Sequence, residues 1–171
     1  SDVCSSDLCR VFADLHGMTT VSLRYFNVFG PRQDPSSQYS AVIPIFVRCL
    51  LTGKPPTIHG DGEQSRDLTF IENVVNANLL ACEANVSGGR VYNIACGGRY
   101  TINEVFDALE KRIGSGLRPV HEAPRAGDVK HSMANIGRIR RDLGYEPTVD
   151  FEAGMDATVR WYQDAGLKAL G

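Results

Sequence analysis

Thr20-Val21-Ser22-Leu23-Arg24-Tyr25-Phe26-Asn27-Val28, set between Gly17 and the pair Gly30-Pro31, is dense in β-branched and aromatic side chains. Such residues suit the pleated surface of a strand, and glycine and proline on either side end it, so 20–28 reads as one buried strand. Upstream, Val11, Phe12 and Leu15 recur at helical spacing and Gly17 stops the segment. Downstream, residues 31–38 form a polar loop, and Ala41 to Leu51 reads as a helix that tolerates Pro44 only in its first turn.

Outward from there the alternation continues. Thr57-Ile58 is a short strand, Gly60-Asp61-Gly62 a turn, and Ile71 to Asn85 an amphipathic helix with Glu72 in its first turn. Arg90 to Ala95 is a strand and Gly97-Gly98 a turn. Thr101-x-x-Glu104 is a capping box opening a helix to Ile113. A short strand at Val120 to Ala123, a helix at Ile136 to Leu143 and a last helix at Phe151 to Ala165 complete the order. Strands alternating with helices give the α/β class. The first nine residues, Ser-Asp-Val-Cys-Ser-Ser-Asp-Leu-Cys, carry neither period and resemble a translated sequencing-adapter junction. They are expected to form a non-native or disordered leader, residues 1–9, ahead of the folded portion, residues 10–171.

The 171 residues suffice for one domain with a real core or for a large piece of a bigger protein. Net charge is −2 with Lys and Arg scattered, which argues against a nucleic-acid or membrane-surface partner. The five cysteines are odd in number and widely spaced, as reduced thiols are. No apolar run reaches the length of a membrane span and no secretion signal opens the chain, so the expected location is the cytoplasm.

Catalytic signatures are scarce. There is no glycine-rich phosphate loop and no nucleophile elbow, and the four histidines lack metal-ligand spacing, so neither a catalytic residue nor a metal is assigned. Gly97-Gly98 follows a strand and precedes a helix, but any tight strand-to-helix turn has that spacing. Three polar clusters stand out. Arg24-Tyr25-Phe26-Asn27 ends a strand, and ligands in open α/β sheets bind beyond such ends; alternatively Asn27 only caps a turn. In Gly60 to Asp67, two glycines permit close backbone approach and Arg66 offers a fork for phosphate oxygens; alternatively this is a surface hairpin with Arg66 paired to Asp67. In Arg125-Ala126-Gly127-Asp128 an arginine can clamp phosphate and a carboxylate can accept ribose hydroxyls; alternatively it is a solvated turn.

Taken together, Leu23-Arg24-Tyr25-Phe26-Asn27-Val28-Phe29-Gly30-Pro31-Arg32-Gln33, Gly60 to Asp67 followed by Ile71-Glu72-Asn73-Val74, Val91-Tyr92-Asn93-Ile94-Ala95, and Arg125-x-Gly127-Asp128 resemble the extended short-chain dehydrogenase/reductase superfamily, specifically its NAD-dependent epimerase/dehydratase family. The likeness covers about residues 10 to 165 in order. Gln33-Asp34-Pro35 through Tyr39-Ser40-Ala41-Val42-Ile43-Pro44 looks most like bacterial UDP-N-acetylglucosamine 4-epimerases that serve surface-polysaccharide synthesis. The resemblance implies the C-terminal part of a Rossmann-type parallel sheet plus the smaller substrate-binding domain, with the N-terminal dinucleotide-binding strands missing. It also implies NAD as cofactor, a UDP-sugar as substrate and a homodimer for the intact enzyme.

Position by position, the resemblance implies that Tyr25 and Phe26 lie near the nicotinamide and that Asn27 contacts the sugar-diphosphate. Ala41 and Val42 would meet the uracil, and Thr57 to His59 would form another wall. Arg66 and Arg125 would grip the diphosphate, and Asp128 would take the ribose hydroxyls. The family's glycine-rich NAD loop and Tyr-x-x-x-Lys pair do not occur in this chain. The expectation is therefore an inactive fragment of a 4-epimerase that passes through a 4-keto sugar. The alternatives are a fragment of a sister dehydratase or decarboxylase, and a non-catalytic nucleotide-sugar-binding module. With sheet partners absent, the chain is also expected to fold poorly on its own.

Overall fold

The computed structural model describes residues 2–34 and 42–165. In chain order the elements are α1 (Asp2–His16), β1 (Thr20–Tyr25), β2 (Val28–Phe29), α2 (Val42–Leu51), β3 (Thr57–His59), β4 (Ser65–Arg66), β5 (Thr69–Phe70), α3 (Ile71–Glu83), β6 (Gly89–Ile94), β7 (Tyr100–Thr101), α4 (Ile102–Ile113), β8 (Val120–Glu122), α5 (Gly137–Leu143) and α6 (Phe151–Ala165). The alternation expected from the sequence is present, with three differences.

First, the opening helix begins at Asp2, so residues 2–9, expected as a non-native or disordered leader, are continuous with it. Its local pattern is weak, but tertiary contacts hold it. Ser6 is buried and accepts from Arg24 Nη2 at 2.8 Å, and Thr20 Oγ1 donates to the Cys9 carbonyl at 3.0 Å. Second, the strand expected over 20–28 is two strands. β1 pairs in parallel with β6, whereas β2 pairs in parallel with β5. The chain changes partner at Asn27, whose φ of 34° is a positive angle that asparagine tolerates better than most residues. Third, β4, β5 and β7 are two-residue strands, too short to leave a periodic trace in sequence.

The other pairings are β3 with β8, parallel, and β4 with β7, antiparallel. Two cores result. One gathers Phe46 and Leu50 of α2, Val105 and Leu109 of α4, Met155 and Val159 of α6, with Phe29 and Phe70 between them. The other packs Val74 and Ala77 of α3 and Ile139 of α5 against Tyr92 and Ile94 of β6. The capping box is made: Thr101 Oγ1 accepts from Glu104 N at 3.1 Å, and Thr101 N donates to Glu104 Oε2 at 2.7 Å. Among the described residues, no helix is long and apolar enough to cross a membrane, and Cys9, Cys49, Cys82 and Cys96 are free thiols.

Candidate functional site

The polar clusters meet beside the first core, whose Phe46, Ile58, Leu68 and Ile102 line the same cavity. At the end of β1, Asn27 is fixed on both sides: its Nδ2 donates to the Asp67 carbonyl at 3.1 Å, and its own carbonyl accepts from Thr69 N at 3.2 Å. Asn27 thus locates the segment 65–69. Arg66 sits on β4 with its side chain 18% exposed. Its Nη1 donates to the Ser65 carbonyl at 2.9 Å and to the Val129 carbonyl at 2.6 Å, while Nη2 pairs with the Asp128 carboxylate. The surface hairpin with Arg66 bonded to Asp67 is therefore not what forms.

Asp128 belongs to a segment that β4 straps down. Ser65 N donates to the Lys130 carbonyl at 2.8 Å, Ser132 N to the Ser65 carbonyl at 3.0 Å, and Ser65 Oγ meets His131 Nδ1 at 2.9 Å. On the far side, β3 lies beside β8, with His59 Nδ1 3.8 Å from Glu122 Oε2. Gln64 Nε2 ties back to the His59 carbonyl at 2.7 Å.

These elements enclose a cavity of 370 Å³ whose lining includes Asn27, Val42, Thr57, His59, Arg66, Arg125 and Asp128. Seven residues singled out from sequence thus meet at one place. Ala41 lies outside the described residues. Tyr25 and Phe26 adjoin Asn27 but do not line the cavity: Tyr25 is 50% exposed with its hydroxyl donating to Asn78 Oδ1, and Phe26 packs on the second core. A wider hollow of 740 Å³ shares His59, Gln64, Arg125 and Asp128 with the cavity.

Three parts of the arrangement had been given no site role from the sequence. Ile45 and Cys49, one helical turn apart on α2, add an apolar wall, and burial pushes the Cys49 thiol up. Gln64 lies within the glycine-flanked motif and was visible there. Asp67 is the third. It has no exposed surface, and its carboxylate accepts from Cys96 N at 3.1 Å, Gly97 N at 3.2 Å and Ala134 N at 3.2 Å. Burial raises its pKa, and the three N–H donors oppose that rise without cancelling it.

Chemically, the cavity offers two guanidinium groups, one carboxylate, two amides, one imidazole and an apolar wall. That set can bind a polyanion, a vicinal diol and a flat apolar ring in one molecule. The Gly97-Gly98 turn does not form a phosphate cradle, because the Cys96 and Gly97 amides are turned to the Asp67 carboxylate.

The NAD dependent epimerase/dehydratase family model matches residues 1–95, more than half of the chain. The chain belongs to the NAD-dependent epimerase/dehydratase family. A putative UDP-glucose 4-epimerase of Methanocaldococcus jannaschii is 33% identical over 155 residues, which cover 91% of this chain and 49% of that protein. Among solved structures, the UDP-N-acetylglucosamine 4-epimerase of Methanobrevibacter ruminantium M1, in complex with UDP-N-acetylmuramic acid, is 38% identical with a TM-score of 0.90. The match covers 96% of this chain and 52% of that one. The UDP-glucose 4-epimerase of Thermotoga maritima, with UDP-glucose, is 37% identical at a TM-score of 0.90, covering 95% and 52%. This epimerase/dehydratase chain therefore spans about half the length of its relatives, and the α/β fold matches the corresponding portion of their Rossmann-type structures.

Proposed function

We propose that residues 10–171 are the substrate-binding portion of a UDP-sugar 4-epimerase that interconverts UDP-N-acetylglucosamine and UDP-N-acetylgalactosamine. The observation that carries this reading is the convergence of Asn27, Arg66, Arg125 and Asp128 on one cavity with an apolar wall. In this reading Arg66 and Arg125 grip the diphosphate, where charge-assisted contacts are strong. Asp128 accepts the ribose hydroxyls, and Asn27 donates to the sugar-diphosphate. Val42, with Ala41 beside it, meets the uracil, opposite a wall made by Thr57 to His59. The nucleotide is thereby anchored while the sugar keeps the freedom to present either face.

NAD, when bound, supplies the acceptor and donor of hydride at C4 of the sugar. What this chain offers toward it is the half-exposed ring of Tyr25 and the neighbouring Phe26 at the end of β1. No Tyr-x-x-x-Lys pair occurs in the sequence, so no residue here is assigned the proton at O4, and the chain alone is inactive in this reading. A cytoplasmic location and a homodimer of the intact enzyme belong to the same proposal. The apolar row Leu8, Val11, Phe12 and Leu15, exposed along α1, supports the dimer.

Calorimetric titration of the purified chain with UDP-N-acetylglucosamine, and separately with NAD⁺, tests the reading. Binding of the sugar nucleotide that Arg66→Ala or Arg125→Ala abolishes is the expected result. A folded chain that ignores the sugar nucleotide would overturn it.

A further inference from the structure

We propose that Asp128 sets the selectivity of the site through Arg66: its carboxylate occupies the guanidinium until a ligand's vicinal hydroxyls draw it away. The inference rests on the nucleotide-sugar reading above and adds to it a discrimination against phosphate groups that arrive without a ribose.

The two arginines of the cavity are in different states. Arg66 is engaged on three sides, by the Ser65 and Val129 carbonyls and by Asp128. The Arg125 guanidinium makes no hydrogen bond or ion pair among the described residues, although it lines the same cavity. Among the described residues, an incoming anion therefore meets one arginine without a partner, Arg125, and one already neutralised, Arg66. To gain Arg66, a bare pyrophosphate must strip Asp128 from it and leave that carboxylate unpaired beside its own negative charges, which is unfavourable twice over. A ribonucleoside diphosphate brings two hydroxyl donors that repartner Asp128 as Arg66 turns to the phosphates. The exchange keeps every charged group satisfied.

The local geometry permits the exchange. Asp128 follows Gly127, whose φ of 80° makes a tight turn closed by Asp128 N donating to the Arg125 carbonyl at 3.3 Å. Residues 125–131 are exposed, and the Asp128 side chain is 37% exposed against 18% for Arg66. The segment just beyond is held by the Ser65–Lys130 and Ser132–Ser65 backbone bonds. A carboxylate on an exposed turn can thus swing while the strap that carries it stays fixed.

The test is calorimetric titration of the chain with inorganic pyrophosphate, UDP and 2′-deoxy-UDP, for the native sequence, Asp128→Asn, Arg66→Ala and the double variant. Asp128→Asn should bind pyrophosphate about fivefold more tightly than the native chain, the scale of freeing a partly exposed ion pair. Its preference for UDP over pyrophosphate should shrink about tenfold or more, since charged hydrogen bonds to the ribose are lost. 2′-deoxy-UDP should bind the native chain less well than UDP.

The double variant should bind pyrophosphate no more tightly than Arg66→Ala alone. An unchanged or weaker pyrophosphate affinity in Asp128→Asn overturns the proposal. So does a gain that persists in the Arg66→Ala background, because that gain would come only from removing a nearby negative charge. Asp128→Ser, with far-ultraviolet circular dichroism of each variant, repeats the reading should the asparagine disturb the fold. Failure of the folded native chain to bind UDP would instead sink the nucleotide reading. The pyrophosphate arm would still report whether Asp128 masks Arg66.

Discussion

Asp67 ties the architecture of the site together from a fully buried position. Its carboxylate joins three separate pieces of chain: the 65–69 segment that holds Asn27 and Arg66, the Cys96-Gly97 turn, and Ala134 beyond the strap. Asp67→Ala leaves three main-chain N–H groups without an acceptor in a place with no exposed surface. An unsatisfied buried donor costs about 1–3 kcal/mol, and relaxation with entry of water recovers part, so we expect about 4 kcal/mol in total. Asp67→Asn keeps one acceptor oxygen. Placed where Oδ2 stands, it retains the Gly97 and Ala134 bonds and turns its NH₂ against Cys96 N–H, for about 2 kcal/mol.

The assay is urea unfolding at low protein concentration, followed by fluorescence of Trp161, which packs on the first core. With a slope of about 2 kcal/mol/M, midpoints should fall by about 2 M for alanine and about 1 M for asparagine. A pH series adds a sign. Because burial raises the carboxyl's pKa in the fold above its unfolded value, the folded state holds the proton more tightly. Between those two values the native chain gains stability as pH falls, whereas asparagine does not titrate. The stability gap between the native chain and Asp67→Asn should therefore widen on acidification from neutral toward the carboxylate range. A midpoint shift below about 0.5 M for the alanine variant would refute the role assigned to the carboxylate. A gap that narrows on acidification would show that the three N–H donors outweigh burial.

Gly154 on α6 faces Phe29 and Phe70, and an added Cβ would lie 2.9 Å from Phe29 Cζ and from Phe70 Cδ2. Alanine favours a helix by about 1 kcal/mol over glycine, but overpacking costs about 1–3 kcal/mol, so Gly154→Ala should lower the melting temperature by several degrees; an equal or higher value would contradict this. On α3, Val75 and Leu79 are 49% and 58% exposed one turn apart, beside Ile71. The chain should self-associate through this row as well as through the exposed row on α1, and Val75→Glu with Leu79→Lys should reduce light scattering without lowering stability. A clear loss of stability would mean that the row packs within this chain.

Most of the element order was legible because long helices announce themselves by period and by caps. Thr101-x-x-Glu104 is a local signal that the structure fulfils atom by atom. The break in the first strand was not legible. Composition from Thr20 to Phe29 stays strand-like throughout, and only long-range pairing, β1 with β6 and β2 with β5, makes Asn27 a joint. The helical start at Asp2 was hidden for the converse reason: Ser6 owes its burial to Arg24, eighteen residues away, and not to any pattern of its own. Of the cavity residues, Asn27, Arg66, Arg125 and Asp128 could be named from ordered motifs. Ile45 and Cys49 could not, because their helix shows the same apolar density on the side that builds the core.

Arg66 and Asp67 show why neighbouring charges mislead. In sequence they invite pairing with each other. Adjacent residues in extended backbone project to opposite sides, so Arg66 reaches the cavity and Asp128 while Asp67 enters the core and collects the amides of two other loops. A strand of two residues leaves no alternation from which to read that division. The division is nevertheless what connects stability to binding in this chain. The carboxylate that gathers the loops lies one peptide bond from the guanidinium that lines the cavity. A disturbance at Asp67 therefore displaces Arg66 directly, whereas one at Arg66 or Asp128 leaves the three buried amide bonds in place. Variants at Asp67 should lose binding and stability together, and variants at Asp128 should alter binding alone.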